Sequence, residues 1–172
     1  SGDPLTRSEN TLNSLAGKTV KLTEDIYLGE NEWKPIGMGG THFEGIFDGQ
    51  GHTIYGLKVG SRYSGAQAAL FCSAAGNAQF KNFTIDGAKI IYPKDGEDYY
   101  AAGVVGTIYG NLTFENITVK KSHITGNNKV AGLIAHDGTS TQITIDNCHI
   151  LDSYIASEDL KDGGCVGGMI GY

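Results

Sequence analysis

No stretch of the chain approaches the ~18 continuous apolar residues that a membrane-crossing helix needs, and no window sustains a helical apolar period. No membrane-spanning helix is therefore encoded. Proline occurs only 3 times and tryptophan once. The 3 cysteines, Cys72, Cys148 and Cys165, are odd in number and lack CxxC spacing, so neither a disulfide framework nor a zinc site is encoded. They read as small buried apolar residues. A basic start followed by an apolar run is missing too, so any export signal is absent or was removed. Positive charge is sparse: 13 basic against 19 acidic residues give a formal net charge of −6. The lysines are scattered rather than striped, which argues against a phosphate-binding face and against nucleic acid as a partner.

What the chain has in quantity is glycine, 26 of 172 residues, accompanied by Ile, Thr, Asn and Asp. That is a turn-rich β composition, on a chain long enough for one domain with a real core. Three segments share one template of apolar, polar, Asn, apolar, polar, apolar: Phe80–Ile85, Phe114–Val119 and Ile145–Ile150. The asparagines, Asn82, Asn116 and Asn147, lie 34 and 31 residues apart. Each template is followed by a small residue and, two later, an isoleucine: Ala88 and Ile90, Ser122 and Ile124, Ser153 and Ile155. A second block then reads Gly103-Val104-Val105-Gly106, Gly132-Leu133-Ile134-Ala135 and Gly168-Met169-Ile170-Gly171. A degenerate earlier copy supplies Ile54 to Val59 and then Ala69 to Cys72.

Apolar and polar residues alternate within each block, the period of a strand with one buried face. Repeats near 30 residues built of short strands cannot bury an apolar face alone and must stack on copies of themselves. The expectation is a right-handed parallel β-helix of about four imperfect turns. Phe83, Ile117 and Cys148 would form one internal stack, and Ile85, Val119 and Ile150 the next. Asn82, Asn116 and Asn147 would align at a bend, amide on amide.

Residues 1–37 read as an N-terminal cap and lead-in, and residues 38–172 as the repeats, all in a single domain. Ser8 to Leu15 followed by Gly17 looks like a short capping helix. After Tyr172 nothing covers the last turn, an edge that invites pairing, so the natural protein is expected to continue with more turns or a cap.

The ordered blocks resemble bacterial proteins carrying the GLUG repeat, named for a Gly-Leu-any-Gly core. The resemblance spans about residues 15 to 172 and includes the lead-in Leu22-Thr23-Glu24-Asp25-Ile26, Trp33-Lys34-Pro35-Ile36-Gly37 and Phe47 to Leu57. Ala69, Cys72 and Ala135 stand where glycine would be expected. The resemblance implies a β-helical module of secreted or cell-surface proteins, often adhesin-like, with no catalytic residues and with further domains of the same parent chain.

Several residues invite a chemical reading. Glu115 and Asp146 occupy equivalent positions of adjacent turns, ~5 Å apart by strand spacing and near the carboxyl separation of retaining glycosidases. They are the weak catalytic alternative, against solvated surface acids. Asp48 and His52 read as turn chemistry, with the Asp carboxylate accepting nearby amides. The histidines show no metal-ligand spacing. Trp33 is expected to pack the lead-in onto the first turn.

Repeat length varies at one point of the unit, between the second strand and the glycine block, so these insertions emerge along one edge. The segment from Tyr92 to Tyr100 is the richest. Tyr92, Asp95, Glu97, Asp98, Tyr99 and Tyr100 offer aromatic area with hydrogen-bonding tips, suited to a glycan or a host protein. Asp159 and Asp162 are expected on the same edge. The carboxylates also allow Ca²⁺, although their spacing matches no standard loop, and no other cofactor is implied. Three functions stay open: a non-catalytic binding or spacer module at the bacterial surface, a polysaccharide-active β-helix enzyme, and a structural stalk.

Overall fold

The computed structural model describes residues 14–60, 67–91, 99–157 and 164–172, which form strands and turns with no helix. The capping helix expected over Ser8 to Leu15 falls largely outside these residues. Ser14 to Gly17 form a turn in which Gly17 takes a φ of 69°. The first strands are β1 (Thr19–Lys21), β2 (Ile26–Tyr27), β3 (Ile46–Asp48), β4 (Thr53–Tyr55), β5 (Lys58–Val59), β6 (Phe71–Ala74), β7 (Gln79–Asp86) and β8 (Lys89–Ile91). They are followed by β9 (Ala101–Ala102), β10 (Val105–Lys120), β11 (His123–Gly126), β12 (Lys129–Ala131), β13 (Ile134–Asp146), β14 (His149–Leu151), β15 (Tyr154–Ser157) and β16 (Cys165–Gly167).

Every pairing between these strands is parallel, and each joins one repeat to the next. The largest sheet runs β1-β3-β7-β10-β13, a second runs β15-β11-β8-β5 and a third β16-β12-β9. The chain is a parallel β-solenoid of about four turns. The lead-in is part of the stack: Val20 pairs with Phe47 and Ile26 with Ile54. Trp33 donates its indole N–H to the Leu70 carbonyl at 2.9 Å.

The core follows from the repeat. Phe83, Ile117 and Cys148 stack through the β7, β10 and β14 register, as do Ile54, Ile85, Val119 and Ile150. Phe80 and Phe114 stack with centroids 5.1 Å apart. Strand period 2 sends these side chains inward, and stacking on an identical neighbour removes them from water, worth ~1.5–3 kcal/mol for each large side chain. The glycine blocks have a different cause. A Cβ on Gly103 would meet the Gly132 carbonyl oxygen at 2.4 Å, and one on Gly132 would meet that of Gly168 at 2.5 Å. Backbones of successive turns approach too closely there for any side chain.

Cys72 and Cys148 are buried free thiols, Cys165 is half-buried, and burial pushes the Cys72 and Cys148 thiols above their ordinary pKa. At the last turn the inward residues Ile143, Ile145, Ile150 and Ile155 are only partly buried.

Candidate functional groove

At the first corner of each turn the backbone enters the left-handed region, with φ of 59° at Asn82, 53° at Asn116 and 47° at Asn147. Asparagine tolerates that conformation better than most residues. The three amides form a ladder. Asn147 Nδ2 donates to Asn116 Oδ1 at 2.7 Å, and Asn116 Nδ2 donates to Asn82 Oδ1 at 3.0 Å. The ladder ends on Asp48, whose Oδ1 accepts Asn82 Nδ2 and the Gln50 N–H, both at 3.0 Å. Partial burial pushes the Asp48 carboxyl upward. The Asn82 amide and Gln50 N–H bonds, with Lys81 and Lys21 nearby, outweigh that and hold it below its ordinary value.

One step before this corner the outward face carries a charged row in register: Lys21, Asp48, Lys81, Glu115 and Asp146. Two residues earlier comes a neutral row, Gln79, Thr113 and Thr144. Two earlier again come Asn77, Asn111 and Gln142, with Asn111 in register with Gln142. Between these rows and the preceding part of the turn, β10 bends. The register with β13 shifts between Ile108 and Tyr109 and again between Gly110 and Asn111. Gly110 has a φ of 98°, and a Cβ there would lie 2.7 Å from the Gly76 carbonyl oxygen.

Beside this bend lies a groove of about 240 Å³ lined by Asn77, Gln79, Asn111, Thr113, Gln142 and Thr144, with the edge of Leu112 between them. It continues past Asn77 and Gln79 into a hollow of about 360 Å³ beside Gly17, Glu44 and Gly45. The ladder bonds engage none of the groove amides, which sit on exposed or half-buried positions. Planar amides and hydroxyls on rigid strands offer paired donors and acceptors in fixed positions.

Those residues singled out from sequence that are described fall elsewhere. Glu115 and Asp146 are in register on neighbouring strands, half-buried and exposed respectively, and Glu115 Oε1 accepts Asn116 Nδ2 at 3.3 Å. They sit side by side on one sheet face next to the corner, not across a cleft. Tyr92, Asp95, Glu97 and Asp98 lie outside the described residues, as do Asp159 and Asp162. Tyr99 is 7% exposed, and its N–H donates to Asn127 Oδ1 at 2.9 Å. Tyr100 packs on Ala69, Ala102 and Ala135, its ring centroid 4.7 Å from that of His136.

His52 meets Asp25 at 3.3 Å, and Asp25 also accepts the Thr53 N–H at 2.9 Å. His149 is exposed beside Asn147. Among the described residues no three His, Cys, Asp or Glu side chains come together as a metal site.

The groove residues carried a signal in the sequence. Gln79, Thr113 and Thr144 immediately precede the three templates and share their 34- and 31-residue spacing. As polar residues at outward positions they follow the pattern of ordinary solvated wall, and no motif marks the surface as concave.

Fold and groove define the class: a parallel β-solenoid with a neutral polar furrow that spans three successive turns. No family model matches the chain, and no curated protein does. Among solved structures it is similar to a putative immunoglobulin A1 protease from Bacteroides ovatus, with a TM-score of 0.58 and 19% identity. The match covers 90% of this chain and 56% of that one. At that identity the likeness establishes the fold.

Proposed function

We propose that the chain is a non-catalytic recognition module of a secreted or cell-surface bacterial protein, adhesin-like, and that it holds a glycan in the groove between Asn77 and Thr144. The observation that carries this reading is the lining: six side chains from three successive turns, all neutral and hydrogen-bonding, around one concave surface. Most small-ligand sites are concave with a few convergent polar groups, and neutral amides and hydroxyls are complementary to sugar hydroxyls. No metal or cofactor enters the reading. The fold likeness to the Bacteroides protein and the resemblance to surface repeat proteins support a place outside the cytoplasm.

A glycan-array screen of the 172-residue protein tests the proposal. Binding to at least one glycan is expected, and silence of the whole array removes the reading. The second reading, a polysaccharide-active enzyme, draws on the in-register Glu115 and Asp146. Turnover of a polysaccharide that is lost in Glu115→Gln or Asp146→Asn would put it in first place.

A further inference from the structure

We infer that the groove is built for an extended, uncharged pyranose chain lying parallel to the solenoid axis, one sugar to each turn. This rests on the recognition reading above and adds the direction, length and charge of the ligand. The direction comes from the repeat. Asn77 and Gln79, Asn111 and Thr113, and Gln142 and Thr144 present the same pair of positions on three successive turns. Successive turns are ~4.8 Å apart, close to the advance of one pyranose along an extended chain, so each sugar meets one pair of side chains, alternate sugars of a β-1,4 chain presenting opposite edges to them. Three turns match three sugars. A ligand running across the turns would meet one pair only.

The charge comes from the neighbours. Glu115 and Asp146 follow Thr113 and Thr144 by two residues on the same strands, and Glu44 stands at the opposite end, beside the adjoining hollow. Lys81 follows Gln79 by two residues in the same way and is in register with both Asp48 and Glu115, so the row flanking the groove reads Lys81, Glu115 and Asp146. A polyanion laid along the groove therefore meets two carboxylates against one ammonium, and the excess of like charge selects against it.

The test titrates the 172-residue protein with β-1,4-linked glucose and xylose oligomers of two to five sugars, and with galacturonate oligomers of the same lengths. Affinity is expected to rise with each sugar up to three and then flatten, with the galacturonate series weaker by about tenfold or more. The triple variant Gln79→Ala, Thr113→Ala, Gln142→Ala should lose about tenfold or more, the isosteric Thr113→Val a smaller part, and Tyr100→Ala nothing. Equal binding of galacturonate, affinity independent of length, an unaffected triple variant, or silence across the neutral series each overturns the inference. If the array then still shows a bound glycan, a recognition role survives but its site lies outside this groove; array silence removes both.

Discussion

Two rows of amides climb the same wall of this solenoid, five residues apart on the same turns, and they meet opposite fates. Asn82, Asn116 and Asn147 donate to one another and end on Asp48, so their hydrogen-bonding capacity is taken up along the axis. Asn77, Asn111 and Gln142 line an open groove. Residue type and repeat spacing do not separate them. The backbone does: the first row sits at a left-handed corner that repeats turn after turn, stacking amide directly on amide. The second follows two register shifts and a glycine that no side chain can replace, and its residues line the groove instead of joining the ladder.

The comparison breaks most severely at the bend. Gly110→Val places a β-branched residue at a φ of 98° with its Cβ against the Gly76 carbonyl. A loss of about 3 kcal/mol is expected from urea unfolding, with glycan binding abolished because the concavity goes with it. Next comes the ladder. Asn116→Leu leaves Asn82 Oδ1 and Asn147 Nδ2 without their partner and strains the left-handed backbone, for about 2 kcal/mol. Asn116→Gly restores the backbone and should lose roughly half of that, since the exposed amides regain water.

The groove row should show the reverse profile. Alanine at Gln79, Thr113 and Gln142 is expected to change the unfolding free energy by less than about 0.5 kcal/mol at each site while weakening glycan binding. A ladder-like loss of stability would mean that the two rows are equivalent after all.

The smallest effect is at Asp48. Its carboxyl is held below the ordinary value of 3.8, so the stability it contributes is present above that value and is lost as pH falls through the lower folded one. Asp48→Asn should therefore flatten the acid side of the urea-midpoint profile below about pH 4, leaving neutral glycan binding intact.

Much of the architecture was legible because a solenoid writes its period into the chain. Phe83, Ile117 and Cys148 share a template position and share a stack, and Asn82, Asn116 and Asn147 share a corner. Of the richest local cluster of binding-type residues, Tyr92 to Tyr100, only Tyr99 and Tyr100 are among the described residues. Tyr99 is buried and Tyr100 lies against small residues of the wall, because Ala69, Ala102 and Ala135 leave room for an aromatic ring to settle on them. Aromatic content in a loop says nothing about which side of the ring reaches water. Glu115 and Asp146 were correctly aligned from their template positions, yet alignment along one sheet face makes neighbours rather than a cleft.

By itself, then, the sequence determined period, register and core. Strand alternation and a fixed repeat leave stacked parallel turns as the way to bury every apolar position at once. Only the tertiary structure decided where the wall becomes concave. The groove lies beside the point where Gly110 of one turn approaches Gly76 of the turn before it, residues 34 positions apart whose meeting no local pattern contains.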